Sequence, residues 1–285
     1  MSNRPDRPPR PARAEPREIQ ELRQLKTTHP ELASAVDMQI DLVEAQRRVQ
    51  SRVPLPWIRT DPEWLRAQQA NGQPAVRFAD IPLDWSDFRL SMRQTADILY
   101  RHGVLDRDEH EQVLTLARDN DLPDLVRRWY DTPPAGAEQG PESATPNLSQ
   151  LLALAIRPFL SRSADALAQR ADFSDWRFGH CPYCGWEPEF ATITPAGERR
   201  LICGRCNAQW TFGAFTCPHC GNDDSSRVTS LETPDRWYRV YACDVCRRYL
   251  KAHDGRHASR PVLPVVDTIA TLLLDAVAIQ RGYVG

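Results

Sequence analysis

The sequence predicts an α+β protein in which an N-terminal helical bundle is followed by a small β-rich module and a C-terminal helix. Three observations support this class. Apolar residues recur at helical spacing over the first 130 residues, and short β-prone runs replace this pattern from residue 179 onward. All eight cysteines lie between Cys181 and Cys246, in Cys-x-x-Cys pairs beside those runs. The length of 285 residues suits about two domains.

The N-terminal part is predicted to be helical after a short lead-in. Residues 1–25 are rich in Pro, Arg and Glu, and this composition predicts a disordered segment. Residues 26–178 are assigned to the helical domain, with a flexible loop of Pro, Gly and polar residues at 131–146. Apolar stripes and start signals such as Asp61-Pro62 predict its helices. These helices cover residues 31–50, the segment from 61, and residues 85–103, 107–119, 123–130 and 147–170.

Residues 179–252 are predicted to form a tandem four-cysteine module. β-prone runs such as "FATIT", "RRLIC", "QWTFGAF" and "RWYRVYAC" alternate there with the cysteine pairs.

Residues 253–285 are predicted to form a C-terminal helix that packs on the helical domain, because the segment is apolar apart from a thin polar stripe. That stripe includes Asp267 and Asp275, so no membrane span is expected. The arginine-rich start has no apolar stretch behind it, unlike a secretory signal, and a cytoplasmic location is expected.

The cysteines form four pairs with a spacing that is typical of metal ligands. The pairs are Cys181/Cys184, Cys203/Cys206, Cys217/Cys220 and Cys243/Cys246, and 18, 10 and 22 residues separate them. In a reducing compartment, such clustering indicates metal or redox chemistry rather than a disulfide framework. A two-residue gap lets both thiolates of a pair face one cation, and two pairs complete a tetrahedral site. The eight cysteines are therefore predicted to hold two metal ions, either iron or zinc.

The sequence leaves open how the four pairs combine. Pairing in sequence order would join the first two pairs at one site and the last two at another, whereas an interleaved arrangement would use the same eight residues. Either arrangement surrounds the metal with four thiolates, which suits structure or electron exchange better than hydrolysis. Gly185 and Gly221 directly follow their pairs, where a tight turn favours a residue without a Cβ atom.

A redox-active dithiol is the alternative interpretation of "CPYC" at residues 181–184. Such a site needs its first cysteine at a helix N-terminus, where the helix dipole lowers the pKa of the thiol. Here Gly185 and Pro188 interrupt any helix, and the other three pairs would remain unexplained, so metal ligation is preferred. His180 and His219 lie beside cysteines but are not expected to be ligands, because eight thiols already make two complete sets.

Aromatic residues in the module raise the alternative of nucleic-acid binding. They are Tyr183, Trp186, Phe190, Trp210, Phe212, Phe215, Trp237, Tyr238, Tyr241 and Tyr249. Bases could stack on them, but a thin metal module also needs large side chains to cover its sites, and this second role is favoured. Residues 181–260 carry 11 basic against 9 acidic side chains, which is close to neutral for a nucleic-acid module. The basic residues expected instead to offset thiolate charge are Arg199, Arg200, Arg205, Arg247, Arg248 and Lys251.

The four pairs and their neighbours resemble the formate dehydrogenase accessory proteins, the FdhE family. The matching segments are "CPYCGWEPEF", "RRLICGRCNAQWTFGAFTCPHCGN" and "YACDVCRRYLK", and "VVDTIATLLLDAVAIQRGY" is similar to the family's C-terminal helix. The resemblance covers residues 147–283, whereas the first 130 residues are compatible with the family only as a helical domain. It implies a tandem rubredoxin-like or zinc-ribbon module in which all eight cysteines are metal ligands, with iron associated with the family's sites.

The resemblance also implies a function. Members of this family are cytoplasmic assembly factors rather than enzymes, and they are needed for active respiratory formate dehydrogenase. They contact the catalytic subunit of that enzyme, which carries molybdopterin and an iron–sulfur cluster and is exported by the twin-arginine route. That subunit is the expected partner, and no nucleic acid is expected to bind. The alternatives are a nucleic-acid-binding zinc ribbon and a rubredoxin-like electron carrier or thiol reductant.

Overall fold

Seven α-helices lie in the described part of the N-terminal half of the chain. The structure is a computed structural model that describes residues 15–132 and 147–285. The helices are α1 (Arg17–Thr28), α2 (Ala33–Gln50), α3 (Pro62–Ala70), α4 (Trp85–Arg101), α5 (Arg107–Leu116), α6 (Leu122–Asp131) and α7 (Leu148–Ala168). The three longest helices, α2, α4 and α7, pack against one another and bury their apolar faces between them. This half is the helical bundle that the apolar stripes predicted.

Capping side chains explain where several helices begin. Asp61 accepts a hydrogen bond from a backbone N–H in the first turn of α3, and Pro62 occupies the first helical position. Asp84 caps α4 in the same way, and Asp106 forms a reciprocal capping box with Glu109 at the start of α5. These side chains satisfy N–H groups that have no partner within the helix. The helix start predicted at Asp61 is confirmed.

One six-stranded sheet forms the C-terminal half. Its strands are β1 (Pro188–Ile193), β2 (Arg199–Cys203), β3 (Gln209–Thr211), β4 (Val228–Glu232), β5 (Tyr238–Cys243) and β6 (Tyr249–Asp254). They lie in the order β3-β2-β1-β6-β5-β4. β1 and β6 pair in parallel, whereas the other neighbours are antiparallel. The sheet therefore consists of two three-stranded meanders, β1–β3 and β4–β6, joined along one parallel seam.

Each meander carries two cysteine pairs at equivalent places. One pair lies before the first strand of the meander, and the other begins with the last residue of the second strand, Cys203 in β2 and Cys243 in β5. The two halves of the sheet thus repeat one plan. This arrangement confirms the predicted α+β class with a tandem four-cysteine module.

One large hydrophobic core joins the helices to the first meander. It includes Phe88 of α4 and Phe159 of α7 together with Ala191 of β1 and Leu201 of β2. The four cysteines of the first meander belong to the same core. The first pair of cysteine turns is consequently packed between the helices and the sheet rather than on an outer face of the module.

The C-terminal segment differs from the single helix that was predicted. It forms α8 (Pro264–Ala270) and α9 (Leu272–Gln280), and Thr271 between them has a φ of −107°. α8 packs on α1 and α2, where Val266 lies in one cluster with Ile19. α9 packs on β5, although its first residue, Leu272, still contacts the cluster of α1, α2 and α8. A segment that is apolar on nearly every side does not itself indicate which surface it will meet.

Part of the predicted lead-in is helical. α1 begins at Arg17, so residues 17–25 form a helix rather than a disordered segment. Ile19 and Leu22 of this helix are buried in the cluster that includes α8, a contact between distant parts of the chain that local composition does not reveal. Residues 1–14 of the lead-in and 133–146 of the predicted loop lie outside the described residues.

Candidate metal centres

All four cysteine pairs adopt the same turn. The N–H of the first cysteine donates to the C=O five residues later, and the N–H four residues later donates back to that cysteine's C=O, with N···O distances between 2.8 and 3.1 Å. The residue directly after each pair has a positive φ: Gly185, Asn207, Gly221 and Arg247, between 61° and 76°. This left-handed conformation suits glycine and asparagine, whereas it costs a residue such as arginine about 1–2 kcal/mol.

The first cluster, centre 1, joins Cys181, Cys184, Cys203 and Cys206, and their sulfur atoms all lie within 4.8 Å of one another. The Sγ atoms of Cys181 and Cys206 are 3.7 Å apart, and those of Cys184 and Cys203 are 3.4 Å apart. Backbone N–H groups inside the pairs donate to the Sγ atoms of Cys181 and Cys203 at 3.4 and 3.3 Å. All four side chains are buried.

The second cluster, centre 2, joins Cys217, Cys220, Cys243 and Cys246. The Sγ atoms of Cys217 and Cys246 are 3.7 Å apart, as are those of Cys220 and Cys243. Cys220 is exposed and Cys246 is half-buried, so this centre faces solvent on one side. In both clusters the pairs combine in sequence order, and the interleaved arrangement does not occur.

The separations of the sulfur atoms fit a tetrahedral metal ion. Metal–sulfur bonds of about 2.3 Å place the sulfur atoms of a tetrahedron about 3.8 Å apart. The close Sγ pairs, at 3.4 to 3.7 Å, approach this edge length. Four sulfur donors suit zinc or iron rather than magnesium or calcium, which prefer oxygen. The residues present therefore fit two such ions, one held by the four cysteines of each centre.

Burial makes centre 1 dependent on nearby positive charge. Burial raises the pKa of the Cys181 and Cys206 thiols well above the ordinary value, because a thiolate in this core loses its hydration. Burial acts on Cys184 in the same direction, but hydrogen bonds from the other three thiols and the nearby Arg205 guanidinium lower its pKa. A bound cation would stabilise the ionised form of all four, so metal binding here is coupled to proton release.

Arg205 lies inside the second cysteine pair and in a cage of aromatic rings. Its guanidinium carbon is 3.7 Å from the ring centre of Trp186, 4.2 Å from that of Trp129 and 4.8 Å from that of Tyr130. The residue is only 1% exposed, and thiolates of centre 1 act on it electrostatically. Attraction to the aromatic faces and to the thiolates stabilises this buried cation. Of the six basic residues expected to offset thiolate charge, Arg205 is the one placed against centre 1.

Two of the other five basic residues lie beside centre 2. Arg199 is buried near Cys217 and donates to the C=O groups of Gly213 and Thr216 at 3.1 and 2.9 Å. Arg248 lies near the thiolates of Cys217 and Cys246.

The remaining three basic residues have partners away from the cysteines. Arg200 pairs with Glu198, Arg247 stacks on Tyr283, and Lys251 pairs with Asp275.

Glu187 connects the two halves of the sheet. It precedes β1 and accepts two hydrogen bonds from Arg248, which precedes β6, at 2.7 and 2.8 Å. Its backbone C=O also accepts from the N–H of Gly204 inside the second cysteine pair. Burial alone would raise the pKa of Glu187. His219 and the bidentate contact with Arg248 outweigh this effect and lower the pKa to about 2. The Nδ1 atom of His219 lies 3.8 Å from Oε1 of Glu187.

The two histidines beside the cysteines lie outside both clusters. The Nε2 atom of His180 is 2.9 Å from the C=O of Gly72, and this contact holds the ring against the loop after α3. The His219 ring is buried, with its Nδ1 nearest to Glu187. The eight thiols make two sets of four without either histidine.

Several residues of the centres were missed by the sequence interpretation. Asn207 and Arg247 occupy the positive-φ position that was recognised only at Gly185 and Gly221, although aligning the four pairs under one another places all four residues at the same offset. Glu187 has no comparable signal, because its partner Arg248 lies 61 residues away.

None of the helices within the described ranges is long and apolar enough to cross a membrane.

Known proteins are similar to this chain in both sequence and fold. No family model matches the chain. A curated relative, the FdhE homolog of Aquifex aeolicus, is 23% identical over 265 residues, which are 91% of this chain and 89% of the relative. The FdhE homolog of Shewanella oneidensis is 30% identical over 167 residues, which span about half of either protein, 56% and 53%.

The crystal structure of the FdhE protein from Pseudomonas aeruginosa has the same fold. It superposes with a TM-score of 0.61 at 21% identity, and the match covers 94% of this chain and 91% of that one. The match to the Aquifex relative and the structural match both extend over more than nine tenths of this chain. The chain is therefore similar in sequence to FdhE homologs and shares the fold of an FdhE protein.

Proposed function

We propose that this protein is a cytoplasmic maturation factor that binds the catalytic subunit of a respiratory formate dehydrogenase and is needed for its activity. The observation that carries the proposal is the pair of four-cysteine centres within an FdhE fold. The eight cysteines are proposed to bind two iron or zinc ions. A metal with four thiolate ligands has no open position for substrate, which supports a binding role rather than catalysis.

Capture of the partner from cells tests this proposal. Tagged protein is purified from cells that make respiratory formate dehydrogenase, alongside Cys203→Ser and the control Ser230→Ala on an exposed part of β4. We expect the wild type and the control to retain the catalytic subunit and two metal equivalents. Cys203→Ser leaves three ligands at buried centre 1 and should lose metal, partner and formate dehydrogenase activity in cells. Full activity and full metal content in Cys203→Ser would refute the proposal.

Electron exchange is a second candidate function, favoured by the exposure of centre 2. Its ligand Cys220 is exposed, whereas every ligand of centre 1 is buried, so a partner's redox group could approach centre 2 closely. If iron at centre 2 exchanges electrons, the purified protein should show a visible iron absorption that a reductant bleaches reversibly. Replacement of iron by zinc should then abolish maturation while the protein still captures the catalytic subunit.

The charge distribution gives less support to nucleic-acid binding. Several arginines of the sheet are paired with carboxylates, as in Arg200 with Glu198 and in Arg239 and Arg256 with Asp254. Phosphate binding usually requires cations that are free to replace counterions. A salt-dependent affinity for single-stranded DNA or RNA at physiological ionic strength would revive this alternative.

A further inference from the structure

A cleft of about 420 Å³ separates α7 from the turn that follows Cys206. α7 contributes Ser161 and Asp165 to one wall, and residues 206–209 form the opposite wall. The hydroxyl of Ser161 donates to the C=O of Cys206 at 3.2 Å, and this hydrogen bond connects the two walls. Gln209, the last residue of the second wall, is also the first residue of β3. The cleft therefore opens at the end of an edge strand.

The backbone of β3 has hydrogen-bonding groups that the sheet does not use. Cys203 donates to the C=O of Ala208, and Phe212 donates to the C=O of Arg199. Because such bonds occur at alternate residues of an antiparallel pair, the N–H and C=O groups of Gln209 and Thr211 point away from β2. Within the described residues these groups have no partner, so β3 offers up to four backbone hydrogen bonds to an added strand.

The charge of the cleft is negative. Asp165 is the charged side chain among its described lining residues; Arg162 of the same helix acts on it electrostatically, but the described residues form no ion pair with it. Partial burial raises the pKa of this carboxyl, because the cleft wall removes part of its hydration. Cys206 borders the same cleft, and four thiolates around a divalent ion carry two excess negative charges, of which Arg205 offsets one. A basic side chain would complement this environment.

We propose that the cleft and the free edge of β3 form a peptide-binding site. An extended segment of the partner adds as a strand beside Gln209 and Thr211, and a lysine or arginine of that segment reaches Asp165. Main-chain hydrogen bonds supply affinity in this mode, and the acidic cleft selects the side chain. The inference rests on the proposed function, since the segment belongs to the captured catalytic subunit.

Proline substitutions at the two sheet edges provide a matched test. Thr211→Pro removes an N–H that points away from the sheet at the β3 edge. Ser230→Pro removes the equivalent N–H at the opposite edge, in β4, where Thr229 and Leu231 are the residues bonded to β5. Thr211→Val keeps the N–H but loses the hydroxyl that donates to Glu198, and it controls for that contact.

We expect Thr211→Pro to lower capture of the catalytic subunit at least tenfold, while Ser230→Pro and Thr211→Val capture normal amounts. Metal content and far-ultraviolet circular dichroism should be those of the wild type in all three variants. Asp165→Lys should weaken capture at least fivefold, whereas Asp175→Lys, at a strongly exposed aspartate, should not. A photoreactive p-benzoylphenylalanine in place of Gln209 should cross-link to a segment that contains lysine or arginine.

The outcomes separate the two proposals. If the wild type captures the catalytic subunit and correctly folded Thr211→Pro captures it equally, the β3 site is wrong but the proposed function stands. A cross-linked segment without basic residues, or equal capture by Asp165→Lys, refutes the charge-based part of the inference. If the wild type captures no catalytic subunit, both the proposed function and this site are wrong.

Discussion

At the scale of single residues, Arg205 shows how the fold accommodates a cluster of buried thiolates. The residue lies between two cysteines of centre 1, and its guanidinium carbon is 3.7 Å from the ring centre of Trp186. Its Nη1 donates to the C=O of Tyr130 in α6 at 3.4 Å. A single side chain thus neutralises charge at the centre and contacts the helical half. Removing it would leave thiolates without a compensating cation in a dry environment.

We predict that Arg205→Met weakens centre 1. The methionine preserves much of the volume in the aromatic cage but removes the positive charge, so the free energy of unfolding should fall by about 3–5 kcal/mol. Transfer of one metal equivalent to a competing chelator should accelerate at least tenfold. Arg200→Met is the control, because Arg200 is exposed and pairs with Glu198, a contact worth below about 1 kcal/mol. Equal metal retention in both variants would contradict a role for Arg205 at the centre.

At the scale of secondary-structure elements, the two meanders are joined at more than the parallel seam of β1 and β6. Glu187 and Arg248 connect the residues that lead into these two strands. Gly179 also lies against the third cysteine pair, where an added Cβ would be 2.0 Å from the C=O of Pro218. These contacts tie the surroundings of centre 1 to those of centre 2, so the stability of one centre should depend on the other.

We predict a coupling energy of about 1–3 kcal/mol between Glu187 and Arg248 in a double-mutant cycle of Glu187→Gln and Arg248→Gln. The folded-state pKa of Glu187, about 2, lies below that of an unfolded glutamate. Its contribution to stability is therefore complete above about pH 4.3 and is lost as the pH falls toward 2. Urea unfolding at pH 7 measures the cycle. A coupling energy near zero would show that the pair does not join the meanders.

At the scale of the whole molecule, the helical half and the first meander share one core. Phe88 and Phe159 of the helices lie in the same cluster as Cys181 and Cys203 of centre 1. Each structural metal contributes on the order of 10 kcal/mol, which is comparable to the entire stability of a typical domain. Metal loss from centre 1 should therefore destabilise the helices as well as the sheet.

We predict that a strong thiol-compatible chelator lowers the melting temperature of the whole protein. Centre 2 should release its ion first, because its ligand Cys220 is exposed. After both ions are removed, helical circular dichroism at 222 nm and tryptophan fluorescence should be lost in one common transition. Re-addition of zinc should restore the original melting temperature. Two well-separated transitions would indicate that the helical half and the sheet are independent domains.

Much of this architecture could be predicted from local sequence signals. The helices from Asp61 and Trp85 follow from caps and apolar stripes, because both depend on residues within a few positions of each other. The four turns around the cysteines are equally local, since each is closed by hydrogen bonds across four or five residues. In contrast, β4 and β6 were not predicted. β4 has only intermediate and exposed positions, and β6 is buried at every position, so neither shows a clear two-residue alternation.

The amino-acid sequence by itself determined the α+β class, the eight candidate ligands and the resemblance to the FdhE family, because helix periods, cysteine spacing and motif order are short-range features. The tertiary structure decided the rest. It joined the cysteine pairs in sequence order, placed α9 on the sheet and buried Arg205 among aromatic rings. Within the described ranges it also left the edge of β3 unpaired beside the cleft that contains Asp165. Each of these depends on contacts between residues that are distant in the chain, which only the packing of helices against the two meanders brings together.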